Sequence, residues 1–213
     1  MRTDDLIAQL AADTRPVSRH ATEQRLIAGL AIGGAATLAL IVTTLGLRAD
    51  LPDAMLTRAF LVKAGYTLSI TVIAMIAVAR VARPDPRGLG AGWLIGVPVL
   101  LLAVLAGVEL AATPRDQWLA MLLGSSWRQC SMRVGVLALP IFGGLLWAFR
   151  RMAPTRLASA GAAAGLAAGA FSATLYGLYC PEVSAMFVLT WYSLGIVIAT
   201  AVGALVGSRL LRW

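Results

Sequence analysis

The sequence predicts an all-α, polytopic integral membrane protein: a bundle of six transmembrane helices with both termini cytoplasmic. Of 213 residues, 59% are hydrophobic and only 13% charged, and the mean hydropathy of +0.81 is far above what water-soluble domains carry. Six apolar stretches approach the roughly 20 residues that a helix needs to cross hydrocarbon. The arginines stand singly or in pairs at the ends of those stretches, which is how topology is encoded.

The spans read as Leu26 to Leu47, Phe60 to Ala79, Trp93 to Ala112, Val134 to Phe149, Leu157 to Tyr179 and Met186 to Gly207. Each is taken as a helix, because backbone polar groups within lipid must bond inside their own segment. The fourth is short and contains Pro140. It can begin a turn earlier, near Ser131, if Arg133 snorkels to the interface. Residues 1–25 precede the first span as a polar cytoplasmic segment, and residues 26–213 form the membrane domain. The first apolar run is too long for a signal-peptide core, and no small-residue cleavage site follows it.

With the amino end inside, the cytoplasmic segments hold Arg2, Arg15, Arg19, Arg25, Arg80, Arg83, Arg87, Arg150, Arg151, Arg156, Arg209 and Arg212. The opposite side holds Arg48, Arg58, Lys63, Arg115, Arg128 and Arg133, a split of about two to one. In a soluble protein the net charge of +8 would suggest nucleic acid. Here it encodes orientation, and no direct nucleic-acid contact is expected. Trp93, Trp118, Trp127, Trp147 and Trp213 fall near span ends, as interfacial anchors do.

The fifth and sixth spans carry small residues at every fourth position: Gly161, Gly165, Gly169, Ala173 and Gly177, then Gly195, Ala199, Gly203 and Gly207. This spacing lets two helix backbones approach closely, so the pair should form a tight hairpin. No loop is long enough for a catalytic domain, and no internal repeat is apparent. The chain is read as a non-enzyme.

Cys130 and Cys180 are the only cysteines. They stand far apart in sequence, yet the topology puts both at the outer face, in what would be an oxidising periplasm. One reading is a disulfide that staples the third–fourth loop to the fifth–sixth turn. The other is a sensing pair, since thiolates capture thiophilic metals and oxidise readily. Structural zinc is a poor fit: it wants four ligands, and His20 is on the wrong side. Glu182, Glu109 and Asp116 are the only external acids nearby, so transient capture of a low-coordinate soft ion is easier to build than a resident cofactor site. Glu109 and Lys63 are ionisable groups near the outer helix ends that can face each other or reach the headgroups. At the other end of the chain, Thr3, Asp4 and Asp5 open a short amphipathic helix with Leu6, Ile7, Leu10 and Ala11 on one stripe, stopped by Arg15-Pro16. It can lie on the membrane surface, although paired acids suit anionic lipid badly, or it can dock into a groove of a basic cytosolic protein.

Several short motifs, in order, resemble one family: Thr3-Asp4-Asp5-Leu6-Ile7 with Leu10; Ser126-Trp127-Arg128-Gln129-Cys130; Arg150 through Ala153-Pro154-Thr155; Tyr179-Cys180-Pro181-Glu182; Trp191-Tyr192; and Arg209-Leu210-Leu211-Arg212-Trp213. Across essentially its whole length the chain resembles the bacterial NrsF family, negative regulators of sigma F, which are six-helix anti-sigma factors of the inner membrane. The resemblance implies a partner, an extracytoplasmic-function sigma factor held at the membrane, with Asp4, Asp5, Leu6, Ile7 and Leu10 as the partner-binding residues. It also implies release when Cys130 and Cys180 meet heavy metal or oxidative stress. Two other readings follow from the residues alone. A six-helix transporter or channel would need midplane charge or broken helices, for which only Pro98 and Pro140 offer places. A membrane thiol oxidoreductase would be expected to carry a C-x-x-C pair, which is absent.

Overall fold

A computed structural model describes residues 3–12, 20–82, 92–150, 152 and 156–210. Arg2, Arg15, Arg19, Arg83, Asp85, Arg87, Arg151, Ala153, Pro154, Thr155, Leu211, Arg212 and Trp213, and the side chains of Leu6 and Leu10, lie outside the described residues. The described elements are helical, with no strand among them. A short α1 (Thr3–Ala12) precedes the long helices α2 (Ala21–Thr44) and α4 (Arg58–Val81), with the five-residue α3 (Leu51–Met55) between them. Then come α5 (Gly96–Ala112), the short α6 (Trp118–Leu123), α7 (Trp127–Phe149) and α8 (Leu157–Tyr176). One turn of α9 (Ala185–Phe187) runs through a π-helical turn, Val188–Tyr192, into α10 (Ser193–Leu210).

Among the described residues, six helical segments are long and apolar enough to cross a membrane: Ala21–Thr44, Arg58–Val81, Gly92–Ala112, Arg115–Phe149, Leu157–Tyr176 and Ala185–Leu210. The fourth begins at Trp127 as a continuous α-helix, about two turns before the apolar run. Polar residues can extend it because its inner face, Cys130, Ser131 and Val134, is buried against the bundle while Arg128 and Gln129 are exposed. Neither proline breaks a helix. Pro140 lies within the uninterrupted α7, and Pro98 sits in the first turn of α5, where its missing N–H has no intrahelical partner to lose.

Two buried clusters stack along the bundle. One gathers Leu26 at the start of α2, Val78 near the end of α4, Phe149 at the end of α7 and Ala160 at the start of α8. The other gathers Ile41, Tyr66, Cys130, Tyr176, Cys180 and Tyr192 from the opposite ends. Successive long helices therefore alternate in direction, and the ends bearing Arg25, Arg80, Arg150 and Arg156 lie together, away from the cysteines.

Among the six long segments, the most buried is α8 and the least buried is Gly92–Ala112, which contains α5. Ala and Gly make α8 narrow, so α10, α4 and α7 can all pack on it. A β-carbon on Gly161 would collide with the Gly203 carbonyl, and one on Gly165 with the Ala199 carbonyl. The expected hairpin is thus a backbone-to-backbone contact. Two residues of the series do otherwise: Gly195 faces Val134 and Ser131 of α7, and Gly177 lies near the Lys63 stem. A second close crossing joins Gly29 and Gly33 of α2 to Gly144 and Ile141 of α7.

Hydroxyls tie the bundle internally. Thr37 Oγ1 donates to the Leu137 carbonyl (2.9 Å), Ser172 Oγ to the Val134 carbonyl (2.8 Å) and Thr174 Oγ1 to Thr67 Oγ1 (2.9 Å). The Tyr66 and Ser193 hydroxyls hydrogen-bond to each other at 2.6 Å. Such bonds contribute about 0.6 kcal/mol each on average between membrane helices, so they fix register more than they add stability.

Candidate functional site: a buried thiol pair under a tied loop

Cys130 lies in the first turn of α7. Cys180 ends the turn that leaves α8, where its own N–H bonds the Tyr176 carbonyl at 3.0 Å. Pro181 follows and cannot continue the helix, so residues 180–184 run irregularly to α9. Both cysteines are fully buried, at 0% exposure, and both are free. Their side chains adjoin, within hydrogen-bonding reach of each other.

Three contacts tie the 180–185 loop down. Lys63, reaching up from α4, is buried and donates from Nζ to the carbonyls of Cys180 (2.9 Å) and Glu182 (3.0 Å). The Glu182 carboxylate accepts from the Ser125 N–H (2.7 Å), Ser125 Oγ (2.6 Å) and Ser126 Oγ (3.3 Å). Glu109 of α5 accepts from the Ala185 N–H at 2.7 Å and from Ser184 Oγ at 3.4 Å, at the N-terminus of the last helical segment, where a negative charge is favourable. Lys63 and Glu109 therefore do not face each other; each holds its own stretch of the same loop. Asp116 is exposed on the turn Arg115–Gln117.

Aromatic rings floor the site. Tyr176 lies 5.9 Å from Tyr192 and 5.7 Å from Tyr179 between centroids, and Phe187 meets Tyr192 edge-on at 6.5 Å. The π-helical turn presents Trp191 and Tyr192 here, and Ser131 Oγ donates to the Trp191 carbonyl at 2.8 Å. Trp191 Nε1 reaches the Leu122 carbonyl at 2.7 Å. A single π turn of this kind commonly marks a functional position.

The Cys180 thiol is held below the ordinary thiol range, chiefly by the Cys130 thiol, which can donate to it; burial opposes this, and the positive Lys63 assists it. Its thiolate, the form that binds metal and attacks electrophiles, is therefore populated from lower pH than at a free cysteine near 8.5. In a Cys130→Ala variant this donor is lost, and the pH at which Cys180 alkylation is half-maximal should rise, as read by mass spectrometry across a pH series. An unchanged half-point would mean that the neighbouring thiol does not set Cys180 acidity.

Sequence reasoning expected the thiols at an outer surface; the structure brings the two together but buries both. It also leaves them without further ligands: no group of three or more His, Cys, Asp or Glu that could hold a metal occurs among the described residues. Asp4, Asp5 and Ile7 are exposed on α1. Sequence reasoning missed the loop-holding role of Lys63 and the parts played by Ser125, Ser126, Tyr176 and Tyr192. A lysine within a span with no acid one helical turn away was the available signal for the first.

The family model for the negative regulator of sigma F, NrsF, matches residues 10–213. The chain is 45% identical over the full length of both proteins to the anti-sigma-F factor NrsF of Caulobacter vibrioides. It is 36% identical, again over the full length of both, to the probable anti-sigma-F factor NrsF of Azospira oryzae. No solved structure matches the chain. The chain thus belongs to the NrsF family of negative regulators of sigma F, which are regulatory proteins and not enzymes.

Proposed function

We propose that this protein is a multi-pass anti-sigma factor of a bacterial inner membrane. It holds an extracytoplasmic-function sigma factor at its cytoplasmic face and releases it when Cys130 and Cys180 capture a thiophilic metal ion or are oxidised. The observation that carries this reading is the meeting of the chain's two cysteines as free, buried thiols, at the bundle end away from Arg25, Arg80, Arg150 and Arg156. The positive-inside bias makes that arginine-bearing end cytoplasmic. There the 1–25 segment offers Asp4, Asp5, Leu6, Ile7 and Leu10 on a short amphipathic helix, suited to a basic groove on the partner.

Two thiolates alone suit a soft, low-coordinate ion better than zinc or calcium. Capture displaces the thiol protons and draws Cys130 and Cys180 to one centre. Since α7 starts beside Cys130 and α8 ends just before Cys180, any change in their spacing bears directly on two helices that cross about 30 Å of hydrocarbon to the 150–156 connection. A coupling of about 1–3 kcal/mol changes partner affinity about 5- to 150-fold.

The binding half of the proposal is tested by co-purifying full-length protein with candidate sigma factors from the same cell, against a version lacking residues 1–16. One sigma factor should be retained by the full chain and lost on truncation. Retention of none, or equal retention by the truncated chain, would contradict it.

A further inference from the structure

Beside the thiol pair lies a polar cavity of about 480 Å³, bordered by Ser125, Ser126, Arg128, Gln129, Arg133 and Tyr179. Two arginines border it. Arg128 is exposed and stacks over the Trp127 ring at 5.3 Å. Arg133 is half-buried, stacks over the Tyr179 ring at 5.4 Å and donates to the Tyr179 hydroxyl at 3.2 Å. Neither has a carboxylate partner among the described residues. Glu182 of the adjoining loop holds Ser125 and Ser126 at the cavity's edge and makes no ion pair with either arginine.

Two positive charges bordering one cavity, each stacked on an aromatic ring, favour an anion there. The positive end of α7 is already met by the Glu182 carboxylate through Ser125 and Ser126, so the charge that attracts an anion to the cavity is that of the two arginines. The forked guanidinium matches two oxygens of a tetrahedral oxyanion, and the Gln129 amide at the rim is a further donor.

We infer that this cavity binds one tetrahedral oxyanion of the phosphate class, either free or as the headgroup phosphate of a phospholipid, with Arg128 and Arg133 as its principal ligands. The site uses neither cysteine as a ligand.

The test uses full-length protein, delipidated in an uncharged maltoside detergent, with Arg128→Gln and Arg133→Gln variants. Its thermal midpoint is titrated with sodium phosphate against sodium chloride at matched ionic strength, and native mass spectrometry reports retained phospholipid before and after stripping. A saturable rise with phosphate but not chloride, weakened about tenfold or more by Arg128→Gln, supports a site open to the free anion. Retained phospholipid that Arg128→Gln loses, with no phosphate response, assigns the site to the lipid headgroup. If the wild type shows neither, or if Arg128→Gln behaves as wild type, the proposal is overturned. Arg128 is exposed and outside the core, so its variant decides the matter even if Arg133→Gln, which also loses the Tyr179 contact, fails to fold.

Discussion

Gly203→Leu should cost the bundle about 3 kcal/mol or more and leave little folded protein in detergent. Overpacking a core costs about 1–3 kcal/mol when neighbouring side chains can shift. At Gly203 the obstacles are the Gly161 carbonyl and the Gly165 backbone, which cannot change rotamer. The α8–α10 contact is the most extensive in the bundle, and both helices lead into the loop that carries Cys180. Gly143→Leu is the matched control. Gly143 is exposed, and a β-carbon there meets nothing within 4 Å, so the same added bulk should be tolerated. Size-exclusion profiles and unfolding midpoints of the two variants check this; equal behaviour would mean that close helix approach is not what holds the fold.

Lys63→Met should loosen the loop without emptying the space that the side chain fills. The methionine keeps most of the stem but leaves the carbonyls of Cys180 and Glu182 unpartnered in a buried setting, a loss of about 1–3 kcal/mol. Where labelling of Cys180 proceeds through local opening of the loop, that range corresponds to about 5- to 150-fold faster labelling. The measurement is the rate of maleimide modification at fixed pH, with Lys63→Arg keeping a donor as a partial rescue. Unchanged protection of Cys180 in Lys63→Met would show that Lys63 does not hold the loop closed.

The spans were legible because lipid allows one solution to the backbone problem, and because runs such as Leu26 to Leu47 carry almost no charge. The α8–α10 pairing was legible from the four-residue spacing of Gly161, Gly165, Gly203 and Gly207. The start of α7 was not, since Arg128, Gln129 and Arg133 read as loop to a hydropathy average, although the helix face they leave to Cys130, Ser131 and Val134 is buried. The α2–α7 crossing was missed because Gly29, Gly33 and Gly144 stand on segments remote in sequence, and no local pattern pairs them. The same limit applies to the site. Topology could bring Cys130 and Cys180 to one face, but their burial goes with the π-helical turn at Val188–Tyr192 and with bonds that tie one loop to Lys63, Glu109 and Ser125. Those are tertiary choices that leave no periodic trace.

In the proposed function, occupancy of the thiol pair controls partner binding at the opposite face. The direct measurement reconstitutes full-length protein in vesicles with its sigma factor bound on the side that displays the amino terminus, and adds cadmium only to the other side. Wild type should release the sigma factor, and the Cys130→Ser, Cys180→Ser double variant should bind it as tightly at rest yet retain it after cadmium. Equal release from both proteins would make the thiols structural and contradict the account.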